Sequence, residues 1–129
     1  MKRVILTLFV AWAAIFSLDA QPISIVFVDA DATGNNDGSS WADAYTRLDS
    51  ALATQQAAFV QVWVAEGVYK PTNAPGRNAM FNLRANIYGG FNGTETTLSQ
   101  RDPKNNLTVL SGDVLGNDTG RATAGNPSR

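Results

Sequence analysis

The sequence predicts an all-β fold: a solenoid of short stacked strands, opened by a cap that contains one amphipathic helix. Two observations predict it. Segments led by two large apolar residues recur at offsets of 25 and 22 residues, beginning at Val62, Ile87 and Val109. A period of this length is typical of solenoids, in which each coil buries its apolar side against the next. Ahead of these segments stands an apolar pattern of helical spacing, Trp41, Ala44, Tyr45, Leu48 and Leu52.

The first element is an export signal. Met1-Lys2-Arg3 is a positive start, Val4 to Leu18 is apolar apart from Thr7 and Ser17, and Asp19-Ala20 precedes a polar break. These are the three parts of a signal peptide, with cleavage expected after Ala20. The apolar run is about 15 residues, short of the roughly 20 needed to span a bilayer. The mature chain is therefore expected to be secreted or held at the cell surface, with no membrane span.

The cap is expected over residues 21–58. Pro22 to Val28 is a strand, with Ile23, Ile25 and Phe27 alternating. Asp29 to Ser40 is a loop of turn-forming residues. Ser40 can then cap a helix, with Asp43 three residues on, and the apolar face carries this helix to about Ala53–Gln56.

The first coils are expected over residues 59–115. Phe59 to Val64 is a strand with Val60, Val62 and Val64 on one face and Phe59 and Trp63 on the other. Apolar residues on both faces mark a strand covered on each side. Short extended segments follow at Val68–Lys70, Met80–Leu83, Ile87–Phe91 and Leu107–Ser111. Val62-Trp63 is expected under Ile87-Tyr88, and Ile87-Tyr88 under Val109-Leu110. Residues 116–129 form a polar tail.

Composition narrows the chemistry. The chain has 10 basic and 11 acidic residues and a net charge of −1. No basic run follows Arg3, which argues against a nucleic-acid partner. His and Cys are absent, so Ser/His/Asp and Cys/His catalysis and disulfides are excluded within the chain. Asp29, Asp31 and Asp37 crowd one loop, and oxygen ligands of this kind suit Ca²⁺. The twelfth position of the pattern is Ser40 rather than Glu, so turns closed by Asp and Asn side chains are the preferred reading. No metal, cofactor or catalytic residue is assigned. Asn92-Gly93-Thr94, Asn106-Leu107-Thr108 and Asn117-Asp118-Thr119 fit the N-glycosylation acceptor pattern.

Several motifs in order resemble one family. They are Val28-Asp29-Ala30-Asp31-Ala32-Thr33-Gly34 with Asp37-Gly38-Ser39-Ser40-Trp41-Ala42-Asp43-Ala44-Tyr45, then Val62-Trp63-Val64-Ala65-Glu66-Gly67-Val68-Tyr69-Lys70-Pro71-Thr72. Ile87-Tyr88-Gly89-Gly90-Phe91-Asn92-Gly93-Thr94-Glu95-Thr96 and Gln100-Arg101-Asp102 follow. Together they resemble the opening of secreted bacterial right-handed parallel β-helix proteins of the pectin-lyase-like type. The resemblance implies a capped solenoid, with Trp41, Tyr45, Leu48 and Leu52 covering its open end. Relatives carry many more coils, so the chain is expected to be the amino-terminal portion of a longer one. The implied function is a surface solenoid with a structural, adhesive or carbohydrate-binding role, its partners polysaccharide or cell-surface components. The alternative is the non-catalytic start of a polysaccharide lyase or another carbohydrate-active enzyme. Lyases of this fold use Arg or Lys with carboxylates, and Lys70, Arg84, Arg101, Glu66, Asp102 and Asp113 are the charged residues available. None of them stands in a lyase motif, and catalysis within this chain is not expected.

Overall fold

The computed structural model describes residues 22–54 and 59–116. The expected export signal and most of the polar tail lie outside these residues. The chain is mainly β, with one α-helix among the described residues. Its elements in order are β1 (Ser24–Val28), α1 (Leu48–Thr54), β2 (Val60–Ala65), β3 (Gly67–Tyr69), β4 (Asn86–Phe91) and β5 (Thr108–Leu110). The strands form two sheets, β1-β2-β4 and β3-β5, and every paired strand is parallel. Glu66 alone separates β2 from β3 and turns the chain from one sheet to the other.

β2 sits at the centre because its two faces are both apolar. Val60, Val62 and Val64 face a core completed by Val28, Leu48, Ala51, Leu52 and Tyr69. Full burial of such an aliphatic side chain contributes about 1.5–3 kcal/mol. By contrast, the partly exposed Lys70–Asp113 pair at 3.9 Å contributes at most about 1 kcal/mol. The apolar core therefore dominates. Trp63 points to the opposite face, where it meets Phe27 and Phe91.

The register follows the expected stack for two strands. Val62 pairs with Ile87 and Trp63 with Tyr88, but Ala65 pairs with Phe91. One extra residue therefore lies in β4 between these pairs, a β-bulge. Gly90 supplies it with φ of +92°, and a Cβ there would stand 2.8 Å from the backbone of Pro103. Only glycine tolerates both conditions without strain.

Three expectations are corrected. The helix begins at Leu48, not Ser40. Ser40 and Asp43 do bond each other, with the Asp43 amide donating to Ser40 Oγ and Ser40 Oγ donating to Asp43 Oδ2, both at 3.1 Å. They close a turn instead of a helix. The backbone there is already engaged: Tyr45 N donates to Phe27 O and Asp29 N to Tyr45 O, both at 2.9 Å. Tyr45 thus bridges β1 in parallel, and an extended residue in a ladder cannot be helical. Of the residues expected to form one helical cap, Leu48 and Leu52 enter the core and Tyr45 packs beside it, while Trp41 lies on the aromatic face.

The second correction concerns β5. Val109 pairs with Val68 and Leu110 with Tyr69, so β5 stacks on β3 rather than on β4. Third, Met80–Leu83 forms no strand. Asn73 bonds both the amide and the carbonyl of Met80, at 3.1 and 2.8 Å, and holds this stretch as a loop.

Candidate functional site

An aromatic ring and a cation meet where β4 adjoins the segment 92–106. In register across the first sheet stand Phe27, Trp63 and Tyr88. Phe27 and Trp63 meet edge to face at 5.8 Å, and Trp63 is only 3% exposed. Tyr88, on the outer strand, is half-buried. The Arg101 guanidinium carbon lies 5.6 Å from its ring centroid, a cation–π contact worth about 0.5–1 kcal/mol at such a site. The exposed Arg101 therefore places a positive charge over one face of the half-buried Tyr88 ring. The exposed guanidinium can hold an anionic substituent of a sugar, with the uncovered part of the Tyr88 ring beside it.

Side-chain oxygens shape the segment that carries Arg101. The Glu95 carboxylate is buried and accepts the amides of Asn92, Gly93 and Thr94 at 2.8, 3.2 and 3.1 Å. Gln100 Oε1 accepts the amides of Thr96 and Thr97, both at 2.8 Å. Asp102 accepts the Lys104 and Asn105 amides and, at 2.6 Å, the Asn105 side chain. The Asn105 contacts come first among the causes that hold the Asp102 carboxyl below the usual carboxylate range. The segment is tied to the rest of the fold by Trp41, whose Nε1 donates to Glu95 O at 2.8 Å.

The Ca²⁺ candidates close turns of the same kind. Asp29 Oδ1 accepts the Asp31 amide at 3.0 Å, and Asp37 Oδ1 accepts the Ser39 amide at 2.9 Å. Hydrogen bonds from Ser39 hold the Asp37 carboxyl below its usual range. Among the described residues no group of three or more acidic side chains is placed to hold a metal ion. Nor do the available charged residues converge. Lys70 faces Asp113, Arg101 faces Tyr88, and Asp102 caps its own turn.

No family model, curated protein or solved structure matches this chain.

Two buried carboxylates were not singled out from the sequence. Glu95 is one, and its place directly after Asn92-Gly93-Thr94 was the available signal. Asp49 is the other. It receives Arg47 at 2.8 and 3.2 Å, the Thr72 amide at 2.9 Å and the Thr72 hydroxyl at 3.1 Å. Burial alone would raise its pKa. Thr72 and Arg47 outweigh this and leave it below the ordinary value. No local pattern signals this contact, because Thr72 is distant in sequence. Tyr69 shows the opposite balance. Burial pushes its hydroxyl up to about 12, Asp29 and Asp31 add to the rise, and a contact at the Ala30 backbone opposes it. Tyr69 Oη donates to Ala65 O at 3.2 Å.

Proposed function

We propose that this chain is an exported, right-handed parallel β-helix of the pectin-lyase-like type that acts as a surface scaffold binding carbohydrate. One observation carries the reading: buried and half-buried acidic side chains are spent on backbone amides, which stiffens long polar excursions on a parallel-stranded frame. Glu95, Asp49 and Asp102 are the instances. Rigid loops on a regular scaffold are the usual setting of a binding surface. The frame is supported by two parallel sheets in which β2 and β3 of one circuit lie beside β4 and β5 of the next. The contact surface of this reading is Tyr88 with Arg101, and its ligand class is acidic polysaccharide.

The test is retention of the purified protein on insoluble acidic and neutral polysaccharides and on intact cells. Retention on the acidic polymer that is lost in Tyr88→Ala and Arg101→Ala supports the reading. Retention on none of the surfaces sinks it, as does retention that both variants keep.

A further inference from the structure

The three N-glycosylation patterns are equivalent in sequence, but two lie within the described residues and their geometries differ. Asn92 is exposed at the end of β4. Its Oδ1 accepts the Thr94 amide at 3.1 Å and the Thr94 hydroxyl at 2.6 Å. The carbonyl end of the side-chain amide is thereby turned inward onto its own threonine. Among the described residues Nδ2 of Asn92 donates to no protein atom, so the nucleophilic end is free. Glu95 fixes this turn by accepting the three amides from Asn92 to Thr94.

Asn106 is arranged in the opposite sense. It is half-buried, and its Nδ2 donates to Gly90 O at 3.4 Å. The hydroxyl of Thr108 does not reach it. That oxygen accepts the Gly90 amide at 3.0 Å and donates to Ala65 O at 3.1 Å, inside the corner between the two sheets. Asn106 and Thr108 are thus structural members of that corner.

We infer that Asn92 is a modification site, an acceptor for N-linked glycosylation in the folded protein, and that Asn106 is not. The donor class is an oligosaccharide carried on a polyprenyl pyrophosphate. In the transfer, Asn92 Nδ2 bonds to the anomeric carbon as the bond from that carbon to the pyrophosphate oxygen breaks. The lipid pyrophosphate leaves with the electron pair, and the amide proton passes to a base of the transferase. The Thr94 hydroxyl orients the acceptor amide.

The experiment incubates the folded full chain with a purified oligosaccharyltransferase and its lipid-linked donor, and maps the products by peptide mass. Free peptides spanning Asn92–Thr94 and Asn106–Thr108 run in parallel. Both free peptides gain the glycan mass, while the folded protein gains it at Asn92 and not at Asn106. Thr94→Ala loses the Asn92 product, and Thr94→Ser, which keeps the hydroxyl, retains it. The inference is overturned if folded protein stays bare at Asn92, if Asn106 is modified equally in the fold, or if the free Asn92 peptide is refused. The assay uses no polysaccharide, so its failure is distinct from failure of the binding reading.

Discussion

The indole of Trp63 stacks on the ring of Phe91, with centroids 4.8 Å apart and planes 8° from parallel, although Trp63 is paired in register with Tyr88. The bulge makes this possible. In an unbroken ladder Gly90 would lie opposite Ala65, and Phe91 would project to the other face, since side chains alternate. The extra residue moves Phe91 opposite Ala65 and onto the face of Trp63. Phe91 is fully buried there, between Trp63 and Trp41, whose ring centroid is 5.5 Å away.

Gly90→Ala tests this relationship. The substitution places a Cβ at φ of +92° and 2.8 Å from Pro103. Holding a non-glycine residue in that region costs about 1–3 kcal/mol, and the backbone contact adds to it. The urea midpoint should fall accordingly, and the near-ultraviolet circular dichroism of the stacked aromatics should weaken. An unchanged midpoint would mean that the bulge is not required.

Trp41→Phe tests the link between the two long excursions. It keeps an aromatic ring against Phe27, at 4.8 Å in the native pair, and removes the donor to Glu95 O. Loss of one such bond costs about 0.5–1.5 kcal/mol. The readable effect is local: amide exchange at Asn92, Gly93 and Thr94 should quicken, while exchange in β2 stays close to its native rate. Uniform quickening across all strands would assign Trp41 to the global core instead.

Asp49 sets an acid limit on stability. Its folded pKa lies below the unfolded value despite burial, because Thr72 and Arg47 favour the carboxylate. A depressed carboxylate contributes stability that is full above its unfolded pKa and is lost as pH falls through the folded one. Asp49→Asn should cost about 1–3 kcal/mol near neutral pH. It should also flatten the decline of stability below pH 3.8, the ordinary value for this group. Urea titrations of both proteins across that range measure it. Parallel pH curves would remove Asp49 as the cause.

Much of this architecture was legible in the sequence where the cause was local. β2 announced itself because Val60, Val62, Val64 and Trp63 make both faces apolar, and its 25-residue offset to Ile87 and Tyr88 is the observed register. The turn-forming loops were legible for the same reason: Asp29 and Asp37 each reach an amide two residues on. The helix start differs from the expected one because one half of a capping box, the Asp43 amide donating to Ser40 Oγ, also forms in this turn. What decides between them is the bridge from Tyr45 to β1, a contact no local pattern contains. Asp49 was missed for a related reason, since Thr72 enters only through the fold.

The place of β5 separates the sequence pattern from the fold most sharply. Val109-Leu110 matches Ile87-Tyr88 in pattern, and nothing in either segment forbids stacking one on the other. The turn at Glu66 decides otherwise. Gly67 N donates to Leu107 O at 3.0 Å, and Ser111 N to Tyr69 O at 2.8 Å, which brackets β5 against β3 from both ends. Because the chain has no cysteine, paired cysteines can read this directly. Val68→Cys with Val109→Cys places thiols on register partners, within reach of a bond that requires Cα atoms closer than about 7 Å. Tyr88→Cys with Leu110→Cys places them on the pair that the repeat pattern alone would align. Under mild oxidation the first variant should form an intramolecular disulfide, seen as a loss of titratable thiols in a monomeric species, while the second keeps its thiols. The reverse result would return β5 to β4 and with it the simpler stack of three.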